Sequence, residues 1–299
     1  MGGPARLVFH HPTTSSTRIE ELCRGLQQEL QALEQKLSRY RPDSVISQIN
    51  QRAGTGLLTP IDAEVAVLLR LCDQLWRESD GAFDATAGVL RTAWSFGDRP
   101  EAAPEKLPQL LPLVNWQGVD INETGVCLSC RGMELDLGGV GKEYAVDKGV
   151  DWLLGQKLSN FVLELAGDVR AVGGRPDGQP WQVGIRDPGD PENALITVSL
   201  SNAALATSGT TARTLVYQGR QLSHLLDART GWPVDHVASV SAISSTCITA
   251  GAVATLACVQ PPDAAEEWLR ASGLPWLRVA SDGTLSGPLA RSSAEVGGA

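Results

Sequence analysis

Between residues 16 and 40 apolar side chains recur at Ile19, Leu22, Leu26, Leu30, Leu33 and Leu37. Steps of three and four residues place them on one face of a helix. Ser16 or Thr17 is available as its N-cap. Pro42 disfavours helical geometry at Arg41, so the helix is expected to stop before it. A second helical pattern, IDAEVAVLLRLCDQLWRESDG, is expected to end at Gly81. Farther along, the pattern breaks into short apolar runs: GVDI, GVCLSC, GMELDL, FVLELAG, WQVGIRD and ALITVSLSNAALATSG. These predict strands, with a helix starting near Tyr144 between the third and the fourth. SHLLDA and VASVSAIS follow, then helices over residues 248–259 and DAAEEWLRASG. The proline-rich stretch 98–112 predicts a surface loop with a short helix. Strands and helices mix without regular alternation. The fold expected is α+β, mainly antiparallel sheets with helices packed on one side. One large unit is expected over residues 1–285, with a disordered tail over 286–299.

Composition narrows the choice of partners. With 299 residues, 42% of them hydrophobic, the chain can bury a sizeable core. It has no apolar run of about eighteen residues, which excludes a membrane-spanning helix as an expectation. A net charge of −9 argues against a general nucleic-acid surface, which needs a basic face. The start, MGGPARLVFHHPTTSS, has neither a basic nor an apolar leader region, so a cytoplasmic location is expected. There are 6 cysteines. Cys127 and Cys130 form a C-x-x-C, but no second pair completes a zinc site, and free thiols fit a reducing compartment.

The stretch ELDLGGVGKEYAVDKG carries the candidate chemistry. MELDL reads as a strand entering a turn at Gly138 and Gly139. Glycine there permits positive φ and close approach of backbone amides to a ligand. A helix follows, whose first amides favour anions, and Lys142 adds a cation. Two readings stand: the turn holds an anionic group such as a phosphate, or it is an ordinary strand-to-helix connection with a surface lysine.

Eight blocks in order extend this: YRPDSVISQIN, DGAFDATAGVL with WSFG, DLGGVGKEYAVD, LELAGDVRAVGG, WQVGIRDP, LATSG, SHLLDARTGWPV and AGAVATLA. Together they resemble the ApbE family of FAD-dependent protein FMN transferases. The resemblance implies an α+β fold with FAD in a cleft between two subdomains. It implies cleavage of FAD at the pyrophosphate, transfer of FMN to a threonine or serine hydroxyl of a target protein, and release of AMP. It also implies Mg²⁺. Carried onto this chain, flavin contacts fall on Met1, Tyr40, Ala82, Phe83, Asp84, Asp136, Lys142 and the backbone near Leu226. Metal ligands fall on the Gly139 carbonyl and Thr255. His224 is the candidate for assisting proton removal from the accepting hydroxyl, or else it orients its loop.

Three positions depart from the family pattern. The aspartate expected as a third metal ligand is Gly251. Glu143 stands where glycine is common, and Ala166 replaces the first glycine of a GGD block. The loss at 251 predicts weak metal binding, compensation by Asp168 or Asp227, or a flavin binder without turnover; FAD hydrolysis with water as acceptor is a further alternative. On this reading Gly251→Asp raises metal-dependent activity. Asp84 either caps the segment after it or binds flavin. Asp227 and Arg229 are expected to pair within a turn, and Trp94, Trp181 and Trp232 to pack.

Overall fold

In the computed structural model the described residues are 3–10, 15–97, 99–190 and 192–292. The central sheet has β1 (Ala5–Phe9), β2 (Phe161–Leu165), β3 (Asp168–Val172), β4 (Ala203–Gly209), β5 (Val237–Ser244), β6 (Trp276–Ala280) and β7 (Leu285–Ser286), in that spatial order. Every neighbouring pair is antiparallel. The helices that matter for the site are α1 (Ser16–Leu37), α2 (Val45–Gln51), α3 (Ala63–Glu78), α4 (Gly141–Gly155), α5 (Cys247–Val259) and α6 (Pro262–Ala271).

Strand alternation sorts the two faces of the sheet. Phe161 and Leu163 of β2, Ala204 and Ala206 of β4 and Val240 and Ala242 of β5 join the main core beneath the helices. α5 lies across β4 and β5, and α4 lies against β2, β3 and α1. α5 is buried continuously from Ala250 to Val259, and its many alanines let it approach the strands closely. The opposite face is covered by a hairpin of Trp181–Arg186 and Ala194–Leu200, whose Ile185, Ile196 and Val198 meet Leu205 and Val279. At roughly 1.5–3 kcal/mol per fully buried aliphatic or aromatic side chain, these contacts are the main stabilising term. A smaller cluster around Trp94, Leu90, Leu107, Leu215 and Leu222 holds the segments beyond the sheet.

Several expectations change in detail. α1 is capped by Ser15, whose hydroxyl accepts from the Arg18 N–H (3.2 Å), rather than by Ser16 or Thr17. It ends at Leu37, before Pro42 can limit it, because the last buried leucine of the stripe lies there. The pattern missed α2, a short helix capped by the Ser44 hydroxyl (2.9 Å to Ser47 N) that buries Ile46 and Ile49.

GMELDL is not a strand. It makes one isolated bridge, between Glu134 and Ala87. The Asn50 side chain replaces a partner strand: Leu135 N–H donates to its Oδ1 (2.7 Å), and its Nδ2 donates to the Leu135 carbonyl (3.0 Å). β3 escaped the pattern for the opposite reason. Its core-facing positions include Asp168 and Arg170, so the usual hydrophobic alternation is inverted. Past residue 285, Ser286 pairs with Arg278, and a short helix, α7, spans Pro288–Ser292. The expected tail therefore begins with folded residues, held by the edge of β6; residues 293–299 lie outside the described set.

Candidate active site

The glycine turn and the start of α4 form the floor of the site. Neither Gly138 nor Gly139 has positive φ, so glycine is needed here for close approach instead. A Cβ on Gly139 would lie 2.8 Å from Phe83 Cε2, so the ring packs directly on the turn. The turn's amides are largely satisfied within the chain. Gly138 N–H donates to Asp136 Oδ1 (2.9 Å), and Val140 and Gly141 N–H both donate to the Leu137 carbonyl (3.1 and 2.7 Å). The open cradle of amides expected from the sequence is therefore mostly closed, and charge at the site comes from side chains.

Asp136 is the brace of this turn. Its Oδ2 faces Arg39 Nε at 3.2 Å, and Arg39 Nη1 donates to the Gly88 carbonyl (2.9 Å). Tyr40 stands beside them, exposed, with its hydroxyl accepting from Arg39 Nη2 (2.9 Å).

Behind the turn lies a buried charged cluster. Lys142, in the first turn of α4, pairs with Asp168 of β3. Burial disfavours the ammonium, but the charges of Asp168 and Glu143 outweigh it and hold Lys142 protonated above its ordinary range. Asp168 is pushed up by burial and pulled back by Lys142. Glu143 is pushed up to about 7 by burial and by the neighbouring Asp168 charge, with Lys142 opposing. One turn on, the Asp147 carboxylate receives Arg170 Nη1 (2.8 Å) and the N–H groups of Cys247 and Ile248 (both 2.9 Å). It thus caps α5, whose own N-cap Thr246 supplies no side-chain bond. On α5, Thr255 is buried, and its hydroxyl shares a 2.6 Å hydrogen bond with Ser208 of β4.

His224 is half-buried, with its ring edge toward Phe96 and its Nδ1 enclosed without a partner. Burial, then Arg213, lower its pKa, and Lys142 is near enough to lower it further. A neutral imidazole with a free nitrogen follows, able to accept a proton.

Other candidates have structural jobs. Both Asp84 oxygens are engaged: Oδ1 accepts Thr86 N and Oγ1 (2.7 and 2.6 Å), and Oδ2 accepts Trp116 N (3.1 Å). The buried Ala82 carbonyl accepts Ala228 N–H (3.0 Å), tying the Phe83 segment to the loop that carries Leu226. Leu226 bridges Pro233. Asp227 and Arg229 pair at 2.7 Å inside their turn, and Trp94 packs against Trp232. Met1 lies outside the described residues.

Sequence reasoning missed Arg39, Asn50, Asp147 and Ser208. A cation just past a helix beside an aromatic was the one signal for Arg39. The others act across long sequence separations that no local pattern reveals.

The Gly139 carbonyl, the buried Thr255 hydroxyl and the buried Glu143 carboxyl, which lies beside the Asp168 carboxyl, are oxygen groups of the kind a hard divalent cation prefers. Among the described residues no three His, Cys, Asp or Glu side chains converge into a metal-binding group. A cation here would rely on mixed oxygen donors around a single carboxylate.

Comparison with known proteins agrees with this α+β fold built on an antiparallel sheet. The ApbE family model matches residues 1–277, and the chain belongs to the ApbE family. It is 30% identical over 256 residues to the FAD:protein FMN transferase of Haemophilus influenzae, covering 81% of this chain and 72% of that protein. It is 28% identical over 288 residues to the enzyme of the same name from Escherichia coli K12, covering 91% and 80%. Among solved structures, the ApbE protein of Thermotoga maritima superposes with a TM-score of 0.86 at 25% identity, covering 98% of this chain and 96% of that one. The flavin transferase ApbE of Vibrio cholerae gives 0.83 at 25% identity, covering 96% and 93%.

Proposed function

We propose that this chain is an FAD:protein FMN transferase that moves FMN from FAD onto a threonine or serine hydroxyl of a target protein and releases AMP. The observation that carries the reading is the position of Lys142, held charged at the start of α4 beside the Asp136-braced turn. A dinucleotide's diphosphate brings two negative charges to an otherwise acidic protein. A fixed ammonium there offsets them and polarises the bond that breaks.

Phe83, seated on Gly139, and Tyr40 at the rim offer aromatic surface for a flavin ring. The Leu226 backbone and the Ala82–Ala228 tie would fix the distance between these walls. His224, neutral near pH 7, takes the proton from the accepting hydroxyl as it attacks phosphorus. Mg²⁺, held by Gly139 and Thr255 with a carboxylate, would neutralise charge on the phosphate oxygens.

The enzyme meets its acceptor in the cytoplasm on this reading. Six free cysteines fit that setting, and no helix among the described residues is long and apolar enough to cross a membrane. The test is incubation of purified protein with FAD, Mg²⁺ and an acceptor domain, followed by mass spectrometry. A covalent FMN adduct together with AMP is expected. AMP without adduct would assign hydrolysis instead, and neither product at any Mg²⁺ concentration would reject both.

A further inference from the structure

Position 251 of α5, where the family pattern has a carboxylate, is glycine here, and the space is already filled. A Cβ built on Gly251 would lie 2.4 Å from Glu143 Cγ, 3.0 Å from Cδ and 3.1 Å from Oε1. Glu143 reaches this point from the first turn of α4 and is itself only 5% exposed. No N–H or hydroxyl donor reaches its enclosed Oε2; the Asp168 carboxyl lies within hydrogen-bonding reach of the Glu143 side chain, and Asp168 Oδ2 likewise lacks a full complement of donors, so two carboxyl groups share this space. Thr255 lies one turn beyond Gly251 on the same face of α5. Two departures from the family pattern, a carboxylate missing at 251 and one added at 143, therefore meet in one place.

We propose that Glu143 is a divalent-cation ligand of this chain, its carboxylate entering from α4 in place of the one absent from α5. The inference rests on the flavin-transferase reading above. The exchange keeps the number of carboxylates at the site, and with it the charge that sets affinity for a hard cation. The carboxylate oxygen would hold the cation together with the Thr255 hydroxyl and the Gly139 carbonyl, and the bound cation would supply charge neutralisation at the phosphate.

The same geometry reverses the expectation for Gly251→Asp. Alone, that substitution does not restore a site. Its Cβ alone would lie 2.4 Å from Glu143 Cγ, so the Glu143 side chain must be displaced before a second carboxylate can be held there.

The test uses Mn²⁺ as a paramagnetic probe, titrated into the full-length protein and followed by electron paramagnetic resonance, with FAD binding measured in parallel by fluorescence quenching. Glu143→Gln is expected to weaken Mn²⁺ binding at least tenfold, on the order of what loss of a supporting group at a metal site gives. Glu143→Gly combined with Gly251→Asp is expected to return it to within about threefold of the parent. Wild-type affinity in Glu143→Gln would overturn the assignment. So would a parent protein that binds FAD but no Mn²⁺, which leaves the flavin reading standing. Glu143-dependent Mn²⁺ binding in a protein that ignores FAD would keep the cation site and remove the flavin reading. Should Glu143→Gln fail to fold, the exchanged pair decides: Mn²⁺ binding near the parent value supports the assignment, and its loss overturns it.

Discussion

Lys142 and Asp168 face each other from a helix and a strand, and each is tolerable inside the protein only because of the other. Lys142→Met leaves Asp168 enclosed without its counter-charge. Since 30% of the lysine side chain still meets solvent, the loss expected is about 2 kcal/mol, below the range for fully enclosed pairs. Urea denaturation measures it, and FAD titration of the same variant should show affinity falling by tenfold or more, about one lost charge-assisted contact. His224 separates from this behaviour. The nearby charges of Arg213 and Lys142 repel a proton on it and no carboxylate is among the groups that shift it, so His224→Gln, which is uncharged like the neutral imidazole, should leave stability and FAD affinity near the parent values. FMN transfer should slow by about 10²-fold or more, as expected for a lost general base. A fall in FAD affinity equal to the fall in rate would instead assign His224 to binding.

Elements meet at this site through capping and turn chemistry that links distant parts of the chain. Asp147 of α4 closes the first turn of α5 and neutralises Arg170 of β3 at once. Asp147→Ala should therefore cost about 3 kcal/mol, a cap plus an orphaned part-buried guanidinium. Asp147→Asn, which keeps one acceptor, should cost less; thermal unfolding of the two variants ranks them. The hairpin between β2 and β3 turns at Ala166 and Gly167, with φ of 50° and 95°. Two-residue hairpins of this hand want positive φ at both positions, and alanine holds it under strain. Ala166→Gly should stabilise by about 0.5–1 kcal/mol, the relieved strain less the added freedom of the unfolded chain.

Across the whole molecule, the buried carboxyl of Glu143 gives apoprotein stability a pH dependence. Its folded pKa is raised from 4.5 to about 7, so between those values the folded state binds a proton that the unfolded state has released. The contribution is fully present below about 4.5 and is lost as pH rises through about 7. In chelator-treated protein, wild type should lose stability relative to Glu143→Gln over that window, by roughly 3 kcal/mol at most. Chemical denaturation at a series of pH values checks it. His224, with a lowered pKa, acts with opposite sign, losing its contribution as pH falls below 6.5, and cancels in the comparison. A difference between the two proteins that does not vary with pH would mean the carboxyl is not protonated in the fold.

The leucine stripe of α1 was legible because helical periodicity defines its one buried face, and the strand at Val237–Ser244 and the helix at Cys247–Val259 because each is an uninterrupted run of small and apolar residues buried along most of its length. The ordered motifs likewise identified the family; the roles they imply for Lys142, Gly139, Thr255 and His224 belong to the proposed function. The opposite held wherever a residue is satisfied by a partner far along the chain. β3 was hidden because Asp168 and Arg170 point inward to Lys142 and Asp147, and MELDL imitates a strand while its backbone is held by the Asn50 side chain and by isolated contacts with residues 85–87. The sequence by itself determined that position 251 lacks a carboxylate and that position 143 has one. Only the tertiary structure decided that these are one event, because packing of α4 against α5 brings the Glu143 side chain into the space Gly251 leaves open.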